Sequence, residues 1–238
     1  MKPPPANSIA EFLESWAWYR ALSPELRSLT LQTATERTAQ PGDYIAREGM
    51  PSLHWYGVMQ GYLQMYVVGS DGSETTLYCL REGEWGGDGS LLKKEMRRYD
   101  LRALTSAHIC LISAQTFQTL RNSSIPFNHF LLDIMNARMG AFVTMLVASR
   151  LLGPEMRVAR GLLMIAKDHA TGSQELAISQ HELALICGLS RQRVNAALSD
   201  FKRLGLVSIE PNKGQLVANI PGLRSYVVAE GQGVDGLG

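Results

Sequence analysis

CGLSRQRVNAALSDF, residues 187–201, is the stretch whose reading decides the fold. Val194, Ala197, Leu198 and Phe201 recur at helical spacing and predict a buried stripe. Gln192, Ala196 and Ser199 fall on the opposite side, flanked by Arg193 and Asn195. Ser190 suits an N-cap, because its hydroxyl can accept one of the free N–H groups of a helix's first turn. That turn then carries Arg191, Gln192 and Arg193. Peptide dipoles leave this end of a helix partly positive, so cations placed there call for something negative nearby.

Upstream, Ser179-Gln180-His181-Glu182 has the S-x-x-E form of a capping box and predicts a helix running through Ile186. Cys187-Gly188-Leu189 then makes a tight turn into the helix capped by Ser190. Two helices joined by a short glycine-containing turn, the second longer and polar outside, form the helix-turn-helix pattern. Val194 and Leu198 lock the second helix onto the first, which leaves its N-terminal turn protruding. An exposed Arg there can read guanine in bidentate fashion, and Gln or Asn can read adenine. Small Ala196 and Ser199 keep the outer face slim enough for a major groove. Phosphates supply the missing negative charge, and helix N-termini add N–H donors for them. The predicted partner is double-stranded DNA. Beyond the helix, GLVSIEPNKGQLVANI (205–220) reads as two short strands about Pro211-Asn212-Lys213-Gly214, a wing whose Lys213 is placed to touch backbone phosphate. The alternative is a module that docks a protein, which would make the chain a ligand sensor without DNA output.

Composition narrows the class. The 238 residues carry a net charge of +1, with 45% hydrophobic and 19% charged side chains, so any nucleic-acid footprint must be local. No apolar run approaches the roughly 18 residues of a membrane helix. The opening MKPPPANS lacks the cationic start and apolar stretch of a signal peptide, and the expectation is a cytoplasmic protein. Cys79, Cys110 and Cys187 stand far apart, which fits a reducing compartment rather than a disulfide framework. The residues contain no nucleophile elbow, P-loop or zinc-ligand spacing, so no enzymatic activity is expected.

The rest of the chain falls into segments. Ile9 to Leu31 has helical periodicity broken at Ser23-Pro24, where serine caps and proline opens a new helix. From Thr38 to Ser113, β-branched and aromatic runs alternate with glycine turns, and YLQMYVVGSDGSETTLYCL (62–80) is a hairpin about an Asp-Gly turn. Short strands at regular spacing imply an antiparallel roll. From Ser124 to Leu152 a long helix carries Leu131, Met135, Met139, Phe142 and Leu146 in one stripe, with Val143 beside it. Such a helix packs on its own roll or pairs with a second copy. Gly153-Pro154 ends it, and the last part reads helix, helix, turn, helix, then two strands. The expected fold is α+β: a sensing domain at 1–123, a dimerisation helix at 124–153 and a winged helix-turn-helix at 154–238.

ISQHELALICGLSRQRVNAALSDFKRLGLVSI (178–209) resembles the DNA-binding signature of the CRP/FNR superfamily of bacterial transcription regulators almost end to end. ALSPELRSL (21–29), QPGDYIAREG (40–49), the stretch 56–87 and RALTSAHICLISAQTF (102–117) are similar to that family's cyclic-nucleotide-binding roll. The resemblance runs from about Trp18 to Ile220. It implies a homodimer through the long helix, bound to an inverted-repeat operator. It also implies base contacts from Arg191, Gln192 and Asn195, with backbone contacts from Ser179, Gln180 and Ser190. Arg193 and Lys213 complete the expected interface. Gln192 stands where well-studied members carry Glu, so the operator should differ at that base. RNA polymerase becomes a partner if the operator position makes the protein an activator.

In nucleotide-binding members a Gly-Glu-Leu turn holds the ribose, and a later Arg-Ser pair clamps the phosphate. The corresponding stretch here is GGDGSLLKKEMRRYDLRA (86–103). Gly87-Asp88 matches with a shorter reach. Arg97 or Arg98 either pairs with a phosphate or belongs to a solvated loop beside Lys93, Lys94 and Glu95. No hydroxyl residue follows them, and Gly86, Gly87 and Gly89 read as hairpin geometry without a following helix. The adenine contacts fall on Phe142 and Val143, whose side chains cannot hydrogen-bond a base edge. Cyclic AMP is therefore not expected to be the switch. An iron–sulfur cluster needs four grouped cysteines and is not expected either. Haem on His54, His108, His129 or Cys79 and a single redox cysteine stay open. Trp55, Tyr56, Tyr62, Tyr66, Tyr78 and Trp85 line an aromatic pocket or fill the core.

Overall fold

The computed structural model describes residues 8–231 apart from 73, 167–170, 177 and 210–214. The chain divides into two compact units, Met1–Phe142 and Val143–Gly238.

The first unit opens with three helices, α1 (Ile9–Glu14), α2 (Ala17–Arg20) and α3 (Pro24–Thr33). Ser8 and Ser23 cap α1 and α3 through their side chains, and Pro24 sits in the first turn of α3, where its missing N–H is not needed. Eight strands follow among the described residues: β1 (Thr35–Ala39), β2 (Tyr44–Ala46), β3 (His54–Gln60), β4 (Tyr62–Val68), β5 (Glu74–Arg81), β6 (Trp85–Gly86), β7 (Asp100–Ala103) and β8 (Ala107–Ser113). They form two antiparallel sheets, ordered β1-β8-β3-β6 and β2-β7-β4-β5. The hairpin of β4 and β5 carries a register shift at Met65/Tyr66. Gly61 turns the chain from β3 into β4 with φ +84°, and a β-carbon there would lie 2.3 Å from the Ser106 carbonyl oxygen.

Strand β3 shows why its residues read as a nearly continuous apolar run. Tyr56 and Val58 face the interior between the sheets with Leu63, Leu80, Leu101 and Ile109. Trp55 and Met59 face the other way, onto Phe12, Trp18, Trp85 and Phe117. Gly57 lies on that second face, where an added β-carbon would come within 2.6 Å of the Phe12 ring and 2.9 Å of Trp85. All four tryptophans join this helix-facing cluster, directly or at its edge, with Trp55 and Trp85 stacked at 3.9 Å between centroids. Four of the residues set out as a possible aromatic pocket, Trp55, Tyr56, Tyr66 and Trp85, are buried.

One element corrects the expectation for the glycine-rich stretch. A six-residue helix, α4 (Asp88–Lys93), does follow Gly86-Gly87, with Gly87 as its N-cap at φ +89°. After β8 come α5 (Ala114–Ser123), capped by Ser113, and the long α6 (Ile125–Leu151). Leu131 of the α6 stripe is buried in the helix-facing core, whereas Met135, Met139, Phe142, Val143 and Leu146 remain exposed.

The second unit contains α7 (Pro154–Ile165), β9 (Ser173–Leu176), α8 (Gln180–Cys187), α9 (Arg191–Arg203), β10 (Val207–Ile209), β11 (Leu216–Asn219) and α10 (Ile220–Gly231). Val158, Leu162, Leu183, Val194, Phe201 and Leu223 are fully buried and form its centre. The sheet order is β10-β11-β9, so the wing hairpin gains a third strand that the sequence reading did not contain. Helix α10 is likewise additional, with Tyr226 edge-on to Phe201 at 5.2 Å.

Candidate nucleic-acid interface and effector cassette

The helix-turn-helix is built from its ends inward. Ser179 and Glu182 close a capping box: the Ser179 hydroxyl accepts the Glu182 N–H at 3.2 Å, and the Glu182 carboxylate accepts the Ser179 N–H at 2.6 Å. Helix α8 stops at Gly188, whose φ of +59° is the left-handed geometry that favours glycine. The carbonyls left free at that end are met from α7, where Arg157 donates to the Cys187 oxygen at 2.6 Å and the Gly188 oxygen at 2.9 Å. Gly161 lets α7 approach, since a β-carbon there would sit 2.6 Å from the Cys187 sulfur. Burial pushes the Cys187 thiol up to about 12, partly opposed by Arg157.

Ser190 caps α9 by accepting the Arg193 N–H at 3.3 Å. Val194, Ala197, Leu198 and Phe201 are buried, as the stripe predicts. Arg191, Gln192, Arg193, Asn195, Ala196 and Ser199 are exposed, and so are Ser179, Gln180 and Ser190. Among the described residues neither Arg191 nor Arg193 has a carboxylate partner. The capping hydroxyls accept from backbone but keep their own O–H free to donate. The starts of α8 and α9 therefore present two guanidiniums, three amide side chains and two hydroxyl donors, suited to phosphates and base edges. Lys213 lies outside the described residues.

The effector cassette is differently disposed. Asp88 is only 2% exposed, and both its carboxylate oxygens accept from Arg138 of α6, at 2.9 and 3.0 Å. Arg138 also donates to the Trp85 carbonyl at 2.5 Å and lies 5.9 Å from the Tyr78 ring centre. Burial works against its charge, yet Asp88 outweighs this and holds the Arg138 pKa above its ordinary value. Arg97 is 2% exposed rather than part of a solvated loop. It donates to the His54 carbonyl at 2.9 Å and the Tyr56 hydroxyl at 2.8 Å, lies 4.7 Å from the centre of the Tyr56 ring, and reaches the Tyr99 hydroxyl at 3.5 Å. Gly87 leaves room for this, because a β-carbon would lie 2.9 Å from the Tyr56 ring and 3.1 Å from Arg97 Nη1. Burial raises the Tyr56 and Tyr99 phenols, with Arg97 opposing it.

Phe142 lies edge-on to Tyr78 at 5.8 Å. Arg98 points away and pairs with Glu95 at 3.0 Å. The structure thus gathers Gly87, Asp88 and Arg97 around α4 and places Arg98 outside them. Of the histidines, His108 pairs with Glu36 at 2.9 Å, His129 is exposed, and burial, then Arg97 and Arg37, hold His54 below its ordinary pKa. Among the described residues no three His, Cys, Asp or Glu side chains gather around a common centre for a metal. Sequence reasoning missed Arg138 and Arg157. A lone arginine in the largely apolar middle of α6 was the available signal for the first.

The chain matches two family models, the cyclic nucleotide-binding domain over residues 36–124 and the Crp-like helix-turn-helix domain over residues 156–226. The Anaerobic regulatory protein of Bacillus subtilis is 20% identical over 197 residues, covering 79% of this chain and 82% of that protein. The Cyclic AMP receptor protein of Thermus thermophilus is 25% identical over 193 residues, covering 81% of this chain and 88% of that protein. Among solved structures, FixK2 from Bradyrhizobium japonicum superposes with a TM-score of 0.71 at 20% identity, covering 81% of this chain and 96% of that one.

Proposed function

The chain belongs to the CRP/FNR superfamily of transcription regulators and carries its helix-turn-helix DNA-binding domain, and from this we propose that it works as a cytoplasmic homodimer on an inverted-repeat operator. The observation that carries the reading is the exposed, unpaired end of α9. Arg191, Gln192 and Asn195 read base edges there, while Arg193 and the Ser179, Gln180 and Ser190 side chains hold phosphates. Lys213 adds a further phosphate contact from the wing. With Gln192 rather than an acid, adenine replaces cytosine as the favoured base at that contact.

The dimer forms through α6, whose Met135, Met139, Phe142 and Val143 are exposed in the single chain. Two recognition helices then sit about one DNA turn, roughly 34 Å, apart. The protein is a regulator without catalytic activity, and RNA polymerase contacts it where the operator lies upstream of a promoter.

Cyclic AMP does not fit the cassette. Asp88 is engaged by Arg138, Arg97 turns Nη2 to Tyr56 and His54 and leaves its buried Nε unpartnered, and Phe142 offers a base edge no hydrogen bond. An unmet polar group in a buried site costs roughly 1–3 kcal/mol, and about 1.4 kcal/mol is tenfold in affinity.

Sequencing genomic DNA retained by the purified protein tests the function by yielding the operator. Arg191→Ala should then lower affinity for that operator by about 1–3 kcal/mol and relax the preference at a single base. Base preference left intact by Arg191→Ala would remove α9 as the reading element.

A further inference from the structure

Helix α4 has two faces with different company. Asp88 and Ser90 are two residues apart, about 200° around a helix, so while Asp88 meets Arg138, Ser90 points the other way. On that side lies a cleft of about 680 Å³, whose lining includes Ser90, Leu91 and Lys94, Glu95 and Met96, and Ala114 and Gln115 of the first turn of α5. Its size is within the roughly 300–1,000 Å³ of small-molecule sites.

Three features of the lining are unmet within the protein. Ser90 is 4% exposed, and its hydroxyl has no partner among the described residues. The hydroxyl of Ser52, in the same lining, is buried and likewise unpartnered. Buried polar groups are normally paired, so the Ser52 hydroxyl, with the unpaired Ser90 hydroxyl in the same lining, asks for a partner from outside the chain. Lys94 is the third. At φ 54° it is the one non-glycine with positive φ among the described residues, a conformation unfavourable to lysine. No carboxylate pairs with it there, because neighbouring Glu95 is held by Arg98 at 3.0 Å and Lys93 at 3.8 Å. The positive end of α5 faces the same space. Around the mouth, Met96 is exposed, and so are Met50 and Leu53, whose carbonyls accept from the Arg97 N–H at 3.0 Å and the Ala114 N–H at 2.8 Å.

We propose that this cleft binds a small amphipathic carboxylate. The carboxylate meets the Lys94 ammonium and the Ser90 hydroxyl, and the apolar body lies on Leu91, Met96 and Ala114. Resting on the regulatory reading above, occupancy is passed to α6 through α4, because the Asp88 that holds Arg138 stands on the opposite face of the same short helix.

The test is calorimetric titration of the full-length protein with octanoate and, for comparison, 1-octanol, alongside methyl NMR of labelled methionines. Expected is saturable octanoate binding that shifts Met96 and Met50 but leaves Met65, inside the roll, in place, with octanol at least ten-fold weaker. Lys94→Gly removes the ammonium and the backbone conflict together, so it should weaken octanoate at least ten-fold while raising the melting temperature. Gln115→Trp, at an exposed position, should block the mouth and abolish binding. No saturation by octanoate, equal binding of octanol, an unmoved Met96, or unchanged affinity in Lys94→Gly would each overturn the site. Operator affinity measured with and without octanoate is the separate regulatory arm. Binding that leaves operator affinity unmoved overturns the coupling alone, and a protein with no operator at all overturns the regulatory reading while the titration still decides the site.

Discussion

At the residue scale the pair Asp88–Arg138 is a buried ion pair of the first unit. The Asp88 side chain is 3% exposed and that of Arg138 15%. Arg138→Ala should strand the carboxylate in the protein interior and destabilise the chain by about 3–5 kcal/mol, read as a lowered urea midpoint. Replacing both partners, Asp88→Leu with Arg138→Met, should recover most of that loss; a single mutant as stable as the wild type would mean water reaches Asp88. The buried thiols make a second prediction. Burial pushes Cys110 and Cys187 to about 12, against an unfolded value of about 8.5. A group whose pKa is raised on folding contributes stability that is complete below its unfolded value and declines as pH rises toward the folded one. The midpoint should therefore fall above about pH 8.5, and iodoacetamide should label these two cysteines only as fast as the protein unfolds. Rapid native labelling of Cys187 at neutral pH would contradict its burial. The exposed ends of α9 were legible one residue at a time, because exposure follows from helical spacing. Arg97 was not, since a cation's burial depends on the Tyr56 and His54 acceptors that the fold brings from β3, distant in sequence.

Elements with a local cause were the readable ones. The capping box of α8, the Ser190 cap of α9 and the Ser23-Pro24 start of α3 each rest on residues within one turn, and all stand as expected. The β4–β5 hairpin follows from its turn. Helix α4 was missed because it is only six residues long and opens on Asp88-Gly89-Ser90, which have little helical preference of their own, while Leu91 is drawn inward by the tryptophan cluster. Strand β9, Ser-Gln-Glu-Leu, shows no alternating apolar residues and exists by pairing with β11. For α10 a signal was present: Asn219 accepts the Gly222 N–H at 3.0 Å, a cap followed by Pro221, but Gly222 and Val227-Val228 obscure it. Helix α6 provides the prediction at this scale. Met139 is 62% exposed in the single chain, so Asp placed there should leave the subunit folded and charge the dimer seam. Sedimentation should find Met139→Asp monomeric and its operator affinity greatly reduced; a dimer of unchanged strength would place the interface elsewhere.

At the scale of the whole molecule, the first unit holds two buried clusters and the second unit has a buried centre of its own among the described residues. The second is centred on Val158, Leu162, Leu183, Val194, Phe201 and Leu223, all within residues 154–231. A fragment spanning 154–238 should melt cooperatively by itself and keep weak, salt-sensitive affinity for DNA, while losing the gain that comes from two linked half-sites. Broad, non-cooperative melting would show that the core needs the first unit. The placement of Trp16, Trp18, Trp55 and Trp85 has a spectroscopic consequence. All four belong to the first unit, and none of their indole N–H groups has a partner among the described residues. Intrinsic fluorescence excited at the tryptophan band therefore comes from one half of the chain, emitting at short wavelength from an apolar setting. Trp55 and Trp85, face to face at 3.9 Å, add an exciton couplet to the circular dichroism. The DNA-binding half is dark in that channel, so light emission tracks the sensing half by itself, and any change in it on adding an operator is a message that has crossed from one unit to the other.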